Sequence, residues 1–285
     1  MTDGGQLMVL DTVQHRHLDV VDFLINEPWF QQHHVKQLVS YAIDNGKEDI
    51  LSVLMRHDSS KKWRGVALMK ACRGPNATIL KFLLRSDSNL SSNLINLLTE
   101  IALEDGCEEI QLLLLRIWLG IGDKQNSVKE ALGFKKNYLV HVLSKGYEQS
   151  AALLISLGAD VKERGINGST ALHVAAGLGN QNLVDRIITL GADVLARDDF
   201  GNTAFHEASK RGHCGVLEHM FKSINHRVPV NNRGESLLHI AASNGHKSTV
   251  QLLCKHRASM SDCSLDEYNT LELAIRNKFE WEARN

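Results

Sequence analysis

No Cys-x-x-Cys pair occurs in this chain, although it holds five cysteines, at 72, 107, 214, 254 and 263. An odd and irregularly spaced set predicts reduced, buried or half-buried thiols in a reducing compartment. No apolar run approaches the roughly 20 residues that a membrane-spanning helix needs. The longest, Ile110 to Ile121, is broken by Gln111, Arg116 and Gly120, so no membrane insertion is expected. Met1 to Leu7 has no basic start followed by an apolar core, which predicts no secretory signal and a location in the cytoplasm or the nucleus. An excess of one charge is missing as well: 32 basic residues face 33 acidic ones, a formal net charge of -1. That balance argues against binding nucleic acid through broad phosphate attraction.

Catalytic signatures are absent too. No nucleophile stands in a Gly-x-Ser-x-Gly setting and no Gly-x-x-x-x-Gly-Lys phosphate loop appears. His206-Glu207 begins like His-Glu-x-x-His, but Lys210 occupies the place of the second histidine. Of the 14 histidines, His15 and His17 lie two apart and His33 and His34 are adjacent, so neither pair shares a helix face as a helical metal site requires. The expectation is a protein that is not an enzyme, with no cofactor and no metal.

What the chain does have is repetition. Composition is that of an ordinary globular protein, 43% hydrophobic and 23% charged, and the length of 285 residues alone would suggest two domains. Within it, Thr170-Ala171-Leu172-His173-Val174-Ala175-Ala176 followed by Gly179 returns as Thr203-Ala204-Phe205-His206-Glu207-Ala208 with Gly212. It returns again as Ser236-Leu237-Leu238-His239-Ile240-Ala241 with Gly245. Both intervals, Thr170 to Thr203 and Thr203 to Ser236, are 33 residues. A fixed period of this kind means stacked identical units. Thr170, Thr203 and Ser236 can each cap a helix start. Ala175, Ala208 and Ala241 allow close helix approach, while Leu172, Phe205 and Leu238 give bulk to a shared apolar face. Gly179, Gly212 and Gly245 suit a left-handed helix end.

This pattern resembles the ankyrin repeat, whose signature is Thr-Pro-Leu-His-x-Ala at a period of 33. The proline is replaced by Ala171, Ala204 and Leu237, whereas His173, His206 and His239 are kept. The resemblance is clear over 137–274. It implies an all-α solenoid of stacked helix-turn-helix pairs with short hairpin loops, in which those histidines bond to the helix start and to neighbouring backbone.

Before 137 the skeleton is degenerate. Val20 to Ile25 reads as an amphipathic helix stopped by Pro28. Helical segments follow in pairs: Leu38 to Ile43 with Ile50 to Leu54, Val66 to Ala71 with Ile79 to Leu84, and Leu97 to Leu103 with Ile110 to Leu115. Gly46, Pro75 and Gly106 fall at the turns, with spacings of 29 and 31. These read as trimmed ankyrin-like units or as generic helical hairpins. Gly106 to Gly146 is 40 residues, and the surplus sits around 120–136, where Ser127 and Glu130 have capping-box spacing and predict a short extra helix. The predicted organisation is therefore 1–119 divergent repeats, 120–136 an insertion or seam where a bend is expected, and 137–285 regular repeats with an atypical last unit near Asn269 to Ala274. The chain stops at Asn285 before a second helix of usual length, which predicts a trimmed cap or a fragment of something longer.

The resemblance also implies where a partner docks: on the hairpin tips before each Thr and on the first helix before each turn glycine. Mapped onto this sequence, the partner-binding set is Ile166, Asp199, Phe200, Asn202, Lys210, Arg211, Asn232, Arg233, Glu235, Ser243, Asn244 and Tyr268. An aromatic tip gains nothing from water and can fill a partner pocket, which singles out Phe200 and Tyr268. Lys210, Arg211 and Arg233 form a basic spot beside Asp198 and Asp199. The function implied is recognition or scaffolding of a protein or peptide with acidic and apolar side chains. The alternative is a cytosolic regulatory segment of a larger channel, kinase or other enzyme.

Overall fold

The structure, a computed structural model, describes residues 18–27, 30, 32–57, 63–85, 91–121, 137–224, 228 and 230–256. The chain forms two compact units, 1–123 and 124–285. Among the described residues there are helices and no β-strand, only an isolated antiparallel bridge between Arg164 and Thr170. No helix among them is long and apolar enough to cross a membrane.

In the first unit α1 (Leu18–Ile25) precedes three helix pairs: α2 (Gln32–Asp44) with α3 (Glu48–His57), α4 (Arg64–Arg73) with α5 (Ala77–Arg85), and α6 (Ser92–Asp105) with α7 (Glu108–Ile121). First helices pack on first helices, α2 on α4 and α4 on α6. Second helices do the same, α1 on α3 and α5 on α7. The expected skeleton is there, because Ala42, Ala71 and Ala102 are fully buried where the first helices meet. Leu51, Leu54, Ile79, Leu80, Ile110 and Leu114 fill the space between the two layers. Charged side chains tie the first helices together: Lys70 Nζ reaches Asp44 Oδ2 at 2.6 Å and also Ser40 Oγ, and Arg73 Nε meets Asp105 Oδ2 at 3.1 Å.

Two of the three turns here differ from the regular ones. Gly46 has φ +66°, but α4 closes on Gly74 at φ -78°, and Gly106 is extended at φ -91°. Gly106 is glycine for another reason: a Cβ there would stand 2.5 Å from the Cys72 carbonyl oxygen and 2.6 Å from that of Ala102. Beside it, Cys72 is wholly buried, and burial pushes its thiol up to about 12, so it is an inert packing group.

The second unit stacks four pairs: α8 (Tyr138–Ser144) with α9 (Glu148–Ser156), α10 (Ala171–Leu178) with α11 (Gln181–Thr189), α12 (Ala204–Arg211) with α13 (Cys214–Phe221), and α14 (Leu237–Ser243) with α15 (Lys247–Lys255). Each first helix lies on the next, α8 on α10 on α12 on α14, and each second helix likewise. Thr170, Thr203 and Ser236 close capping boxes with His173, His206 and His239. The three backbone N–H groups donate to histidine Nδ1 at 3.2, 3.0 and 3.1 Å. With Nδ1 accepting, the proton sits on Nε2, and His173 passes it to the Asn202 carbonyl of the following unit at 3.0 Å.

Gly179 and Gly212 end α10 and α12 at φ +75° and +77°. Under each lies a histidine of the next unit: His213 Nε2 donates to the Gly177 carbonyl at 3.0 Å and His246 Nε2 to that of Lys210 at 2.9 Å. A Cβ on either glycine would run into those rings. The extra helix expected at 127–132 and the last unit expected near 269–274 lie outside the described residues.

Phe205 is fully buried, with its ring 5.0 Å from that of Phe221. Phe205→Ala is therefore expected to cost about 3–5 kcal/mol, read from urea unfolding followed by circular dichroism. A cost under about 1 kcal/mol would show that the layers are not closely packed there.

Candidate functional site

Three hairpin tips and two first helices of the second unit enclose a groove of about 670 Å³. Its rim is built by short-range chemistry. In the second tip Asp198 Oδ1 accepts from the Phe200 N–H at 3.0 Å and the Asn202 N–H at 2.7 Å. One period later Asn231 Oδ1 accepts from the N–H groups of Arg233 and Glu235 at 2.9 and 3.0 Å. A side-chain oxygen that bonds two and four residues on folds the tip back on itself without help from the core. The first tip has Gly165 at that position and instead makes a 3-10 turn, Ile166–Gly168.

Successive tips are joined. The Asp199 N–H donates to the Asn167 carbonyl and the Asn232 N–H to the Phe200 carbonyl, both at 3.0 Å. Arginines brace the same step: Arg164 Nη1 donates to the Arg197 carbonyl at 2.7 Å, and Arg197 Nη2 to the Val230 carbonyl at 3.0 Å and to Asn232 Oδ1 at 3.2 Å. Gly201, at φ +77°, must lack a side chain, since a Cβ would strike both Asn232 Oδ1 and Arg197 Nη2. Sequence reasoning named Asp198 only as an acidic neighbour of the basic spot, and passed over its counterpart Asn231, the pair Arg164 and Arg197, and the pair His213 and His246. Each pair is spaced by 33 residues, so a search at the period for any polar type would have found them.

Of the mapped partner-binding set, Ile166, Asp199, Phe200, Asn202, Lys210, Asn232, Arg233, Glu235, Ser243 and Asn244 all line this one groove. Arg211 does not; its guanidinium lies over Gly177 of the preceding first helix. Tyr268 lies outside the described residues. Ile166 is 84% exposed and Phe200 56%, large apolar side chains left in water on adjacent tips. The charged side chains on the groove are Asp198, Asp199, Glu207 and Glu235 against Lys210 and Arg233. Asp198 and Glu235 are engaged, the latter accepting from Asn231 Nδ2 at 2.7 Å. Lys210 and Arg233 make no ion pair or side-chain hydrogen bond with any described residue. Among the described residues no group of three His, Cys, Asp or Glu side chains could hold a metal ion.

His206 forms part of the groove wall yet is only 1% exposed. Its Nε2 is buried and lies toward the Glu235 backbone as that of His173 lies toward Asn202, but without the close hydrogen-bond geometry found there. Burial lowers its pKa to about 4, with Arg197 and His173 adding to the effect and the Glu235 backbone and Asp198 opposing it. The unfolded chain protonates near the ordinary value of about 6.5 and the folded one only near 4. The stability that neutral His206 permits is therefore complete above about 6.5 and lost as the pH falls toward 4, by about 3 kcal/mol. The protection factors of the α12 amides, taken against the intrinsic exchange rate at each pH, are expected to fall as the pH drops through that window. In His206→Asn, whose amide oxygen can replace Nδ1 as acceptor, that fall should be largely gone; an unchanged profile would acquit His206.

These features were compared with known proteins. A family model described as ankyrin repeats (3 copies) matches residues 99–229 and 205–282. No curated protein matches the chain. The matched stretch takes in most of the third helix pair of the first unit as well as the regular units, and the described residues before it show the same two-layer stacking without a match. By period, capping chemistry and this match, the chain belongs to the ankyrin-repeat family.

Proposed function

We propose that the chain is a non-enzymatic recognition module whose groove takes an extended protein segment bearing acidic and apolar side chains. Ankyrin repeats are in general protein-protein interaction modules, and the residue chemistry of this groove narrows the kind of segment it suits. The observation that carries the reading is the meeting of exposed Phe200 and Ile166 with the unpaired cations Lys210 and Arg233 in one cavity. A partner that covers Phe200 gains about 1.5–3 kcal/mol of apolar transfer. A carboxylate set against Lys210 or Arg233 meets no competing acid from Asp198 or Glu235, which are held by their own tips, while Asp199 and Glu207 on the same groove restrict it to those two cations. Such charges chiefly set specificity and encounter rate, while the buried aromatic supplies most of the affinity.

Selection of a displayed random peptide library on the full chain tests this. Recovered sequences are expected to combine acidic with apolar side chains, and Phe200→Ala with Arg233→Ala should weaken their capture by about 10-fold or more. Arg211→Ala should have little effect. Recovery of basic sequences, or capture indifferent to both groove substitutions, would refute the reading.

A further inference from the structure

The chain contains three Asn-Gly dipeptides within the described residues, Asn45-Gly46, Asn167-Gly168 and Asn244-Gly245. An asparagine followed by glycine is prone to lose its amide, because the glycine nitrogen carries no neighbouring side chain to shield it. Two of the three are tethered. Asn45 Nδ2 donates to the Tyr41 carbonyl at 2.9 Å and Asn244 Nδ2 to the Ile240 carbonyl at 2.8 Å, each folded back over the end of its helix. Asn167 is exposed on the first tip, and its amide bonds to no described residue. The base of the turn is closed by the Gly165 N–H to the Ser169 carbonyl at 2.6 Å, whereas the bonds at the dipeptide itself are longer, Gly168 N–H to the Gly165 carbonyl at 3.2 Å and Ser169 N–H to the Ile166 carbonyl at 3.3 Å. Asn167 also sits at φ +57°, away from the regions that side-chain-bearing residues favour.

We infer that Asn167 is a site of spontaneous deamidation that alters the rim of the groove. The Gly168 nitrogen bonds to Asn167 Cγ, the bond from Cγ to Nδ2 breaks, and the proton of the glycine amide leaves with that nitrogen as ammonia. The resulting succinimide takes up one water. Opening at Cγ gives aspartate; opening at the main-chain carbonyl gives isoaspartate, with the chain then running through the former side chain. No oxidant or reductant enters. In the isoaspartate product the oxygen that accepted the Asp199 N–H at 3.0 Å becomes part of a free carboxylate. It then stands beside Asp199, whose own carboxylate already lies against Gly168. Either product adds a negative charge to the rim shared with Lys210 and Arg233, and the isoaspartate also takes the acceptor of the Asp199 N–H, one of the bonds that join the first two tips, out of the chain path. This inference stands independently of what the groove binds.

The test is to age the full chain at mildly alkaline pH and 37 °C, and to follow the three dipeptides by peptide mapping that separates aspartate from isoaspartate. Folded, Asn167 should convert faster than Asn45 and Asn244 by roughly fivefold or more, the factor a single tethering hydrogen bond supplies. In concentrated urea the three rates should converge. Equal rates in the folded chain, or an advantage of Asn167 that persists in urea, would overturn the proposal. As a structural readout, the Asp199 amide should lose exchange protection in the isoaspartate fraction and keep it in the unconverted Asn167→Ser chain. Full protection in the isoaspartate fraction would likewise overturn it.

Discussion

A pair of short helices cannot hide its own apolar flank, and that limit governs everything else in this protein. α10 and α11 hold 8 and 9 residues, fewer than an isolated helix needs to persist in water. Their buried residues, Leu172, Ala175, Ala176, Leu183, Val184 and Ile187, are covered by the pairs before and after as much as by each other. Stability is then a property of interfaces between neighbours, and the residues that set the spacing of neighbours matter as much as those that fill the core. Small alanines at 175, 208 and 241 allow the approach, and glycines 179 and 212 let the next unit's histidine slide beneath the turn.

Polar groups then fix what apolar burial leaves loose. The capping histidines satisfy backbone groups at each helix start, and His173 also reaches the next unit, so one side chain sets both a helix boundary and a register. At the tips the same economy appears in Asp198 and Asn231, which fold their loops, and in Arg164 and Arg197, which join one loop to the next. The groove is thus lined by side chains whose backbones are already held. Phe200 is exposed and its main chain is bonded at both N–H and carbonyl, so ordering it on a partner costs only side-chain freedom.

The regular half was legible because its cues are local and recur at one interval: a hydroxyl, a histidine three later, an alanine two beyond that and a closing glycine. The divergent half was legible only in outline. Its helices and buried alanines follow from apolar period, but the turn at Pro75 closes on Gly74 and that at Gly106 on an extended residue, neither of them left-handed. Such a turn is set by what packs against it, in the case of Gly106 the Cys72 carbonyl of the preceding unit, a contact that no local pattern shows. Arg211 failed as a groove residue for a similar reason. Its neighbour Lys210 faces the groove, and one step along a helix turns a side chain by about 100 degrees, here back over Gly177.

The two halves accordingly suggest a division of labour within the chain. The first has lost the capping histidines and spends charged residues, Lys70 with Asp44 and Arg73 with Asp105, on tying its first helices together. The second keeps Lys210 and Arg233 unpaired among the described residues and leaves two apolar tips exposed. The most direct check on that contrast is a hydrogen-exchange footprint of a groove-selected acidic and apolar peptide on the intact chain. Protection confined to 198–203, 231–236 and the first helices α12 and α14 is the result expected. Protection along the second helices, or within 18–121, would contradict the account.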